Sequence, residues 1–227
     1  MTSQINSSVD EDRTAVVLAS PGERRSFQEL EERSRQLAQL FRARGIGPGG
    51  QIAVLLDNHI GYHEVCWAAR RAGLRFTPIN WHLGAQEAGY ILADCGATGL
   101  VTSARLEQLV IGLAAHMDNV AVHLAHDGEL EGFDAYETAI TAYPTEPPAD
   151  ETEGAYMFYT SGTTGRPKGI KPPSVVHRLV LRRGSTGSSA PSTGSSPGSS
   201  TSVPRRCTTR RRWVGRWRRT VPAAPWS

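Results

Sequence analysis

Lysine is nearly absent from this 227-residue chain: Lys168 and Lys171 are the only two, against 23 arginines, a bias consistent with GC-rich coding DNA. Cysteine is also scarce. Cys66, Cys95 and Cys207 are odd in number and show no Cys-x-x-Cys spacing, which argues against a disulfide framework or a zinc ribbon and suits free thiols in a reducing cytosol. No run approaches the roughly 18 apolar residues of a membrane-spanning helix. Met1 to Arg13 is polar and acidic, without the apolar core of a signal peptide. Nothing marks export, so the expected location is the cytoplasm. No internal repeat is visible, and Ser161 lies in Thr-Ser-Gly and not in a Gly-x-Ser-x-Gly elbow, which removes the hydrolase reading for it.

One further absence divides the chain. Residues 172–227 contain no Asp, Glu, Lys, Asn, Gln, Ile, Met, Phe or Tyr, and 40 of these 56 residues are Arg, Ser, Pro, Gly or Thr. Their 11 arginines give +11, whereas residues 1–171 carry 14 Lys+Arg against 22 Asp+Glu, a net −8. The formal +3 of the whole chain averages two unlike pieces. So little apolar area cannot offset a backbone ordering cost of about 1–2 kcal/mol per residue, and disorder is expected there. Ser185 to Ser202 reads as a low-complexity linker.

Two origins for this segment stay open. Arg210-Arg211-Arg212-Trp213 and Arg216-Trp217-Arg218-Arg219 form a basic, Trp-interleaved run suited to polyanions or an anionic membrane. Alternatively, a frameshift shortly after Lys171 in GC-rich DNA yields this same composition. The frameshift is preferred, because a basic run alone is a weak motif. No specific nucleic-acid partner is expected.

What is present is concentrated in Tyr159-Thr160-Ser161-Gly162-Thr163-Thr164-Gly165-Arg166-Pro167-Lys168-Gly169. Glycines let backbone N–H groups approach a ligand closely, and hydroxyls and an ammonium add donors for anionic oxygens. The preceding Ala155-Tyr156-Met157-Phe158-Tyr159 predicts a short buried strand, which puts this loop at a strand's carboxyl end, where open α/β sheets bind ligands. The pattern differs from the Walker loop. Gly162 and Gly165 are separated by two residues instead of four, and Lys168 precedes Gly169 instead of Ser or Thr.

Upstream, Ser26-Phe27-Gln28-Glu29 predicts a capping box, and Leu30, Leu37, Ala38 and Phe41 a helical stripe that Gly45 stops. Strands are expected over Gln51 to Leu56, Leu74 to Asn80, Gly99 to Val101 and Val120 to Val122. Helices are expected over Tyr62 to Ala72, Glu87 to Ala93 and Ala104 to Ala115. Such β-α alternation predicts an α/β fold with a mainly parallel sheet and helices on both faces. Pro144 to Glu153 reads as a solvated connector. Cys66 and Trp67 are assigned to the core, and Trp81 more to the core than to a cleft. His59 and His63, four residues apart without a third ligand, read as capping or solvated residues and not as a metal site, and His123 and His126 lack an evident partner.

The eleven-residue run resembles the phosphate-binding signature of the adenylate-forming enzymes, which include acyl-CoA synthetases, luciferases and peptide-synthetase adenylation domains. Ser26-Phe27-Gln28-Glu29-Leu30 and Thr77-Pro78-Ile79-Asn80-Trp81-His82-Leu83 look like the amino-terminal part of fatty-acyl-CoA synthetases, so the resemblance covers about Ala15 to Lys171. It implies ATP, Mg²⁺ and coenzyme A as cofactors, and a carboxylic acid such as a fatty acid as substrate. Thr160, Ser161, Gly162, Thr163, Thr164 and Gly165 would surround the β- and γ-phosphates, with Lys168 as the cation and Tyr159 anchoring the strand. Two units are expected: 1–171 as the amino-terminal region of such an enzyme, and 172–227 as an unrelated tail. The family's later motifs, which supply an adenine and metal site, a ribose carboxylate and a mobile lysine, need Asp, Glu, Lys or Tyr that residues 172–227 do not have. No catalytic residue is therefore assigned, and this chain is expected to be inactive alone. The runner-up is a non-enzymatic protein acting through its basic tail, and a decoy of a full-length relative is a weaker third.

Overall fold

The computed structural model describes residues 12–19, 22–149, 151–160 and 166–172. The expectations for Ser161 to Gly165 and for the tail therefore lie outside the described residues. A short antiparallel pair, β1 (Thr14–Val17) and β2 (Arg24–Ser26), leads into α1 (Phe27–Ala43). The capping box forms as the sequence predicts: the Glu29 N–H donates to Ser26 Oγ at 3.1 Å, and the Ser26 N–H donates to Glu29 Oε2 at 2.8 Å. At the other end Gly45 takes φ +86°, the Ile46 N–H donates to the Phe41 carbonyl at 2.8 Å and the Gly45 N–H to that of Arg42 at 3.0 Å. These two bonds make a Schellman stop, and buried Ile46 and Phe41 supply its apolar contact.

Beyond α1 run β3 (Gln51–Leu55), α2 (Tyr62–Arg71), β4 (Arg75–Pro78), α3 (Ala85–Asp94) and β5 (Gly99–Ser103). They are followed by α4 (Glu107–Gly112), β6 (Val122–His126), β7 (Asp134–Ala135), α5 (Tyr136–Thr141) and β8 (Ala155–Tyr156). The strands form a six-stranded sheet in the order β7-β6-β5-β3-β4-β8, parallel throughout. Both faces are covered, so strand residues of both parities are buried. Ile52, Val54, Val101 and Leu124 pack with Leu37, Phe41, Ala68 and Ile140 of α1, α2 and α5. Ala53, Leu55, Leu100 and Ala125 pack with Ala88, Ile91, Leu92 and Val110 of α3 and α4.

The structure corrects several boundaries and environments. The strand expected over Val120 to Val122 is β6, which starts where that one ends. The helix expected over Ala104 to Ala115 is three pieces, with 3₁₀ turns at Ala104–Leu106 and Ala114–His116 flanking α4. The expected buried strand at Ala155 to Tyr159 is two strands. β8 pairs with β4, the Met157 N–H makes a last bond to the Phe76 carbonyl, and β9 (Phe158–Thr160) then pairs antiparallel with β10 (Lys168–Ile170). Alternation along this edge buries Met157 but leaves Tyr156 48% and Phe158 46% exposed, their rings stacked at 4.5 Å. A short apolar run does not by itself reveal whether one face or two are covered. Cys66 packs half-buried against the core, whereas Trp67 is half-buried outside it. The connector before β8 is anchored at its end: Glu151 is buried and accepts from Arg71 Nη1 at 2.9 Å, and Glu153 accepts from Arg70 at 2.8 Å.

Candidate nucleotide-phosphate site

The flanks of the glycine-rich segment form a hairpin. Its register makes Thr160 and Lys168 direct partners, followed by Tyr159 with Gly169 and Phe158 with Ile170. Thr160 and Lys168 are both exposed and stand at the end of the ladder, where the chain departs into residues 161–165. The hairpin leaves the carboxyl end of β8, the edge strand of a parallel sheet, as the sequence predicts. Gly169 is closely packed: a Cβ there would lie 2.3 Å from Met157 Cε and 3.0 Å from Tyr159 Cζ, so a side chain would have to displace the tip of Met157. Tyr159 anchors its strand by donating to Asp94 Oδ2 at 2.6 Å. Burial of the ring and this bond both push the phenol's pKa up, so it stays a donor.

A cleft of about 760 Å³ opens beside the hairpin, at the carboxyl ends of β3 and β4. Asn58 and His59 follow β3, Asn80 and Trp81 follow β4, and Phe158 and Tyr159 close one side. Trp81 thus does both things weighed for it, packing half-buried against the α3 and α4 cluster while lining the cleft. The His82 N–H donates to Asn80 Oδ1 at 3.0 Å, an Asx turn that carries the chain off the strand.

A second polar group, which the sequence did not reveal, lies at the ends of β3, β5 and β6. Ser103 Oγ donates to Asp127 Oδ2 at 2.7 Å, and Arg105 Nη2 donates to Oδ1 at 3.0 Å. His59 Nδ1 accepts from the Gly61 N–H at 3.0 Å, so its Nε2 carries the hydrogen and donates to Asp127 Oδ1 at 3.2 Å. Burial opposes the Asp127 carboxylate, but the Ser103 bond and the nearby His59 and Arg105 outweigh it and hold its pKa below the usual range. Although Ser, His and Asp meet here, the serine is spent on the carboxylate and not on the histidine, so no base activates it. Among the described residues no group of three His, Cys, Asp or Glu could hold a metal ion. Burial raises the Cys66 thiol to about 12, which leaves it un-ionised at neutral pH.

His126 corrects the expectation of a partnerless residue. It is buried, stacks on Tyr136 at 3.6 Å and lies 4.3 Å from the His59 ring. Burial, reinforced by His59, Arg33 and Arg25, lowers its pKa to about 2. Below pH 6.5 the unfolded chain binds a proton that folded His126 refuses, so the stability present above that pH is lost progressively as pH falls towards 2. The expected slope is up to about 1.4 kcal/mol per pH unit. Urea unfolding of His126→Phe from pH 7 to 4 is expected to be flatter than wild type by this amount, and equal slopes would refute the assignment.

The AMP-binding enzyme family matches residues 4–172. Feruloyl-CoA synthase from an Amycolatopsis species is 35% identical over 144 residues, covering 63% of this chain and 27% of that protein. A fatty acid–[acyl-carrier-protein] ligase from Streptomyces coeruleorubidus is 31% identical over 163 residues, covering 70% and 30%. The solved structure of an anthranilate CoA ligase in complex with anthranoyl-AMP superposes with a TM-score of 0.65 at 22% identity, covering 73% of this chain and 32% of that one. The chain thus spans less than a third of the length of each of these proteins.

Proposed function

The chain belongs to the AMP-binding enzyme family, and on that premise we propose that its β9–β10 hairpin holds the β- and γ-phosphates of ATP. The observation that carries this reading is the pairing of Thr160 with Lys168 at the hairpin mouth, which sets a hydroxyl and an ammonium side by side, one residue beyond Phe158 and Tyr159 that line the cleft. Ser161, Gly162, Thr163, Thr164 and Gly165, between them in sequence, would add backbone and hydroxyl donors. This donor set fits a polyphosphate. It does not by itself fit Mg²⁺, since it offers hydroxyls, backbone N–H groups and an ammonium, and the Asp94 carboxylate beside it accepts from Tyr159.

The reaction in which such a site serves is activation of a carboxylic acid by ATP, with pyrophosphate released and coenzyme A as a later acceptor. Charge then builds on the bridging and pyrophosphate oxygens, and donors fixed in advance by a pinned hairpin stabilise it without reorganising. Fatty and aromatic acids are both compatible with the relatives. This chain supplies phosphate recognition, with residues 1–171 as the folded ligase part and 172–227 as an appended tail that takes no share in it.

A phosphate loop without an adenine pocket or a metal carboxylate binds weakly. Calorimetric titration with ATP is expected to give a dissociation constant no tighter than millimolar, about −4 kcal/mol. Lys168→Ala removes a charge-assisted contact of about 1.5–3 kcal/mol and is expected to abolish detectable binding. A low-micromolar constant, or unchanged binding by the variant, would overturn the reading.

A further inference from the structure

We propose that helix α3 is the positioning element for this hairpin, through Asp94 acting on Tyr159 and Tyr90 acting on Arg166. The proposal rests on the phosphate reading above and names residues that nothing in the eleven-residue signature includes. Tyr90 and Asp94 are four residues apart on α3, hence on one helical face. Each holds a different end of the hairpin. Asp94 Oδ2 accepts from Tyr159 Oη at 2.6 Å, on the strand that enters the glycine-rich segment. The Arg166 guanidinium lies 5.4 Å from the centre of the Tyr90 ring, just after that segment ends. Gly169 pairs with Tyr159 in the hairpin register, close enough that an added Cβ would press on the ends of the Met157 and Tyr159 side chains.

The consequence is geometric. A two-stranded hairpin is marginal by itself and free to twist about its axis. Two tethers on one helix face, one before and one after the segment, remove that freedom and set where Thr160 and Lys168 point. α3 is itself fixed, with Ala88, Ile91 and Leu92 buried against the sheet. Asp94 and Tyr90 touch no substrate in this scheme; they act through Tyr159 and Arg166, and preorganisation is their contribution.

The test uses the full chain, with Asp94→Ala, Tyr159→Phe, their double variant and Asp94→Asn, which keeps an oxygen acceptor. Amide exchange at residues 168–170 is expected to speed up about three- to tenfold in Asp94→Ala and Tyr159→Phe, with residues 52–55 of β3 unchanged. Inorganic tripolyphosphate binding should weaken about two- to tenfold in the same variants. The double variant should be no worse than either single one, because both break one bond, and Asp94→Asn should recover most of the loss. Unchanged exchange at 168–170 would overturn the proposal, and so would equal acceleration in β3 or additive losses in the double variant. If exchange responds as expected while even wild type fails to bind tripolyphosphate, the tether stands and the phosphate reading falls.

Discussion

Glu64→Ala is expected to lower the unfolding free energy by about 3 kcal/mol, seen as a clear fall in the urea midpoint. Glu64 is fully buried on α2, yet three elements reach it. Arg25 of β2 donates to Oε1 at 3.0 Å, Arg33 of α1 pairs with the same oxygen at 2.8 Å, and Tyr136 of α5 donates to Oε2 at 3.1 Å. Removing one partner of a buried ion cluster costs more than the cluster contributes, because the remaining groups keep their desolvation cost without compensation. Tyr136 has no exposed surface, and burial and then the Glu64 charge raise its pKa well above the ordinary value. Arg33 keeps Glu137 at 2.7 Å and Arg25 is a quarter exposed, which places the figure at the low end of the range for such losses. Tyr136→Phe leaves the carboxylate with both arginines and is expected to cost only about 1 kcal/mol. A Glu64→Ala loss below about 1 kcal/mol would show that water replaces the carboxylate.

The legible parts of the fold were those written in neighbouring residues. Ser26 with Glu29, and Gly45 after an apolar stripe, determine the two ends of α1 within three or four positions of each other. The parallel sheet followed from strands and helices that alternate at short spacing. What escaped depends on residues far apart in sequence. β6 extends through polar His123 and His126 because His126 is sheltered by Tyr136 and His59, and no local pattern announces that. Gly112 ends α4 against α3, where a Cβ would meet that of Ala85 at 2.5 Å, a contact across 27 positions. Glu151 looked solvated, yet its partners lie some 80 residues earlier: Arg71 holds it while also pairing with Glu31 and donating to Ser34. For the site, the signature gave the residue types and their chemistry, whereas Asp94 and Tyr90 were invisible as ordinary polar positions of an amphipathic helix.

Gly154→Ala is the substitution expected to unseat the hairpin from a distance. A Cβ at Gly154 would lie 2.2 Å from the Leu74 carbonyl oxygen, 2.6 Å from that of Ala69 and 2.9 Å from the Leu74 nitrogen. All three are backbone atoms, of the last turns of α2 and of Leu74 just before β4, so no side chain can swing aside. The same residue is tied there by its N–H to the Arg70 carbonyl at 2.7 Å, and the Ala155 N–H follows onto Leu74 at 3.0 Å. A methyl group therefore forces β8 away from β4, at a cost of about 3 kcal/mol, the upper end of ordinary overpacking. Because β8 leads directly into β9, its displacement also draws Tyr159 from Asp94, so amide exchange should accelerate at residues 155–160 and 168–170 together. Gly47→Ala is the matched control, since nothing lies within 4 Å of a Cβ there and its expected effect is within about 0.5 kcal/mol. Equal urea midpoints for the two variants would mean that β8 does not depend on its passage beneath Leu74, and the route by which α2 and β4 fix the hairpin would have to be abandoned.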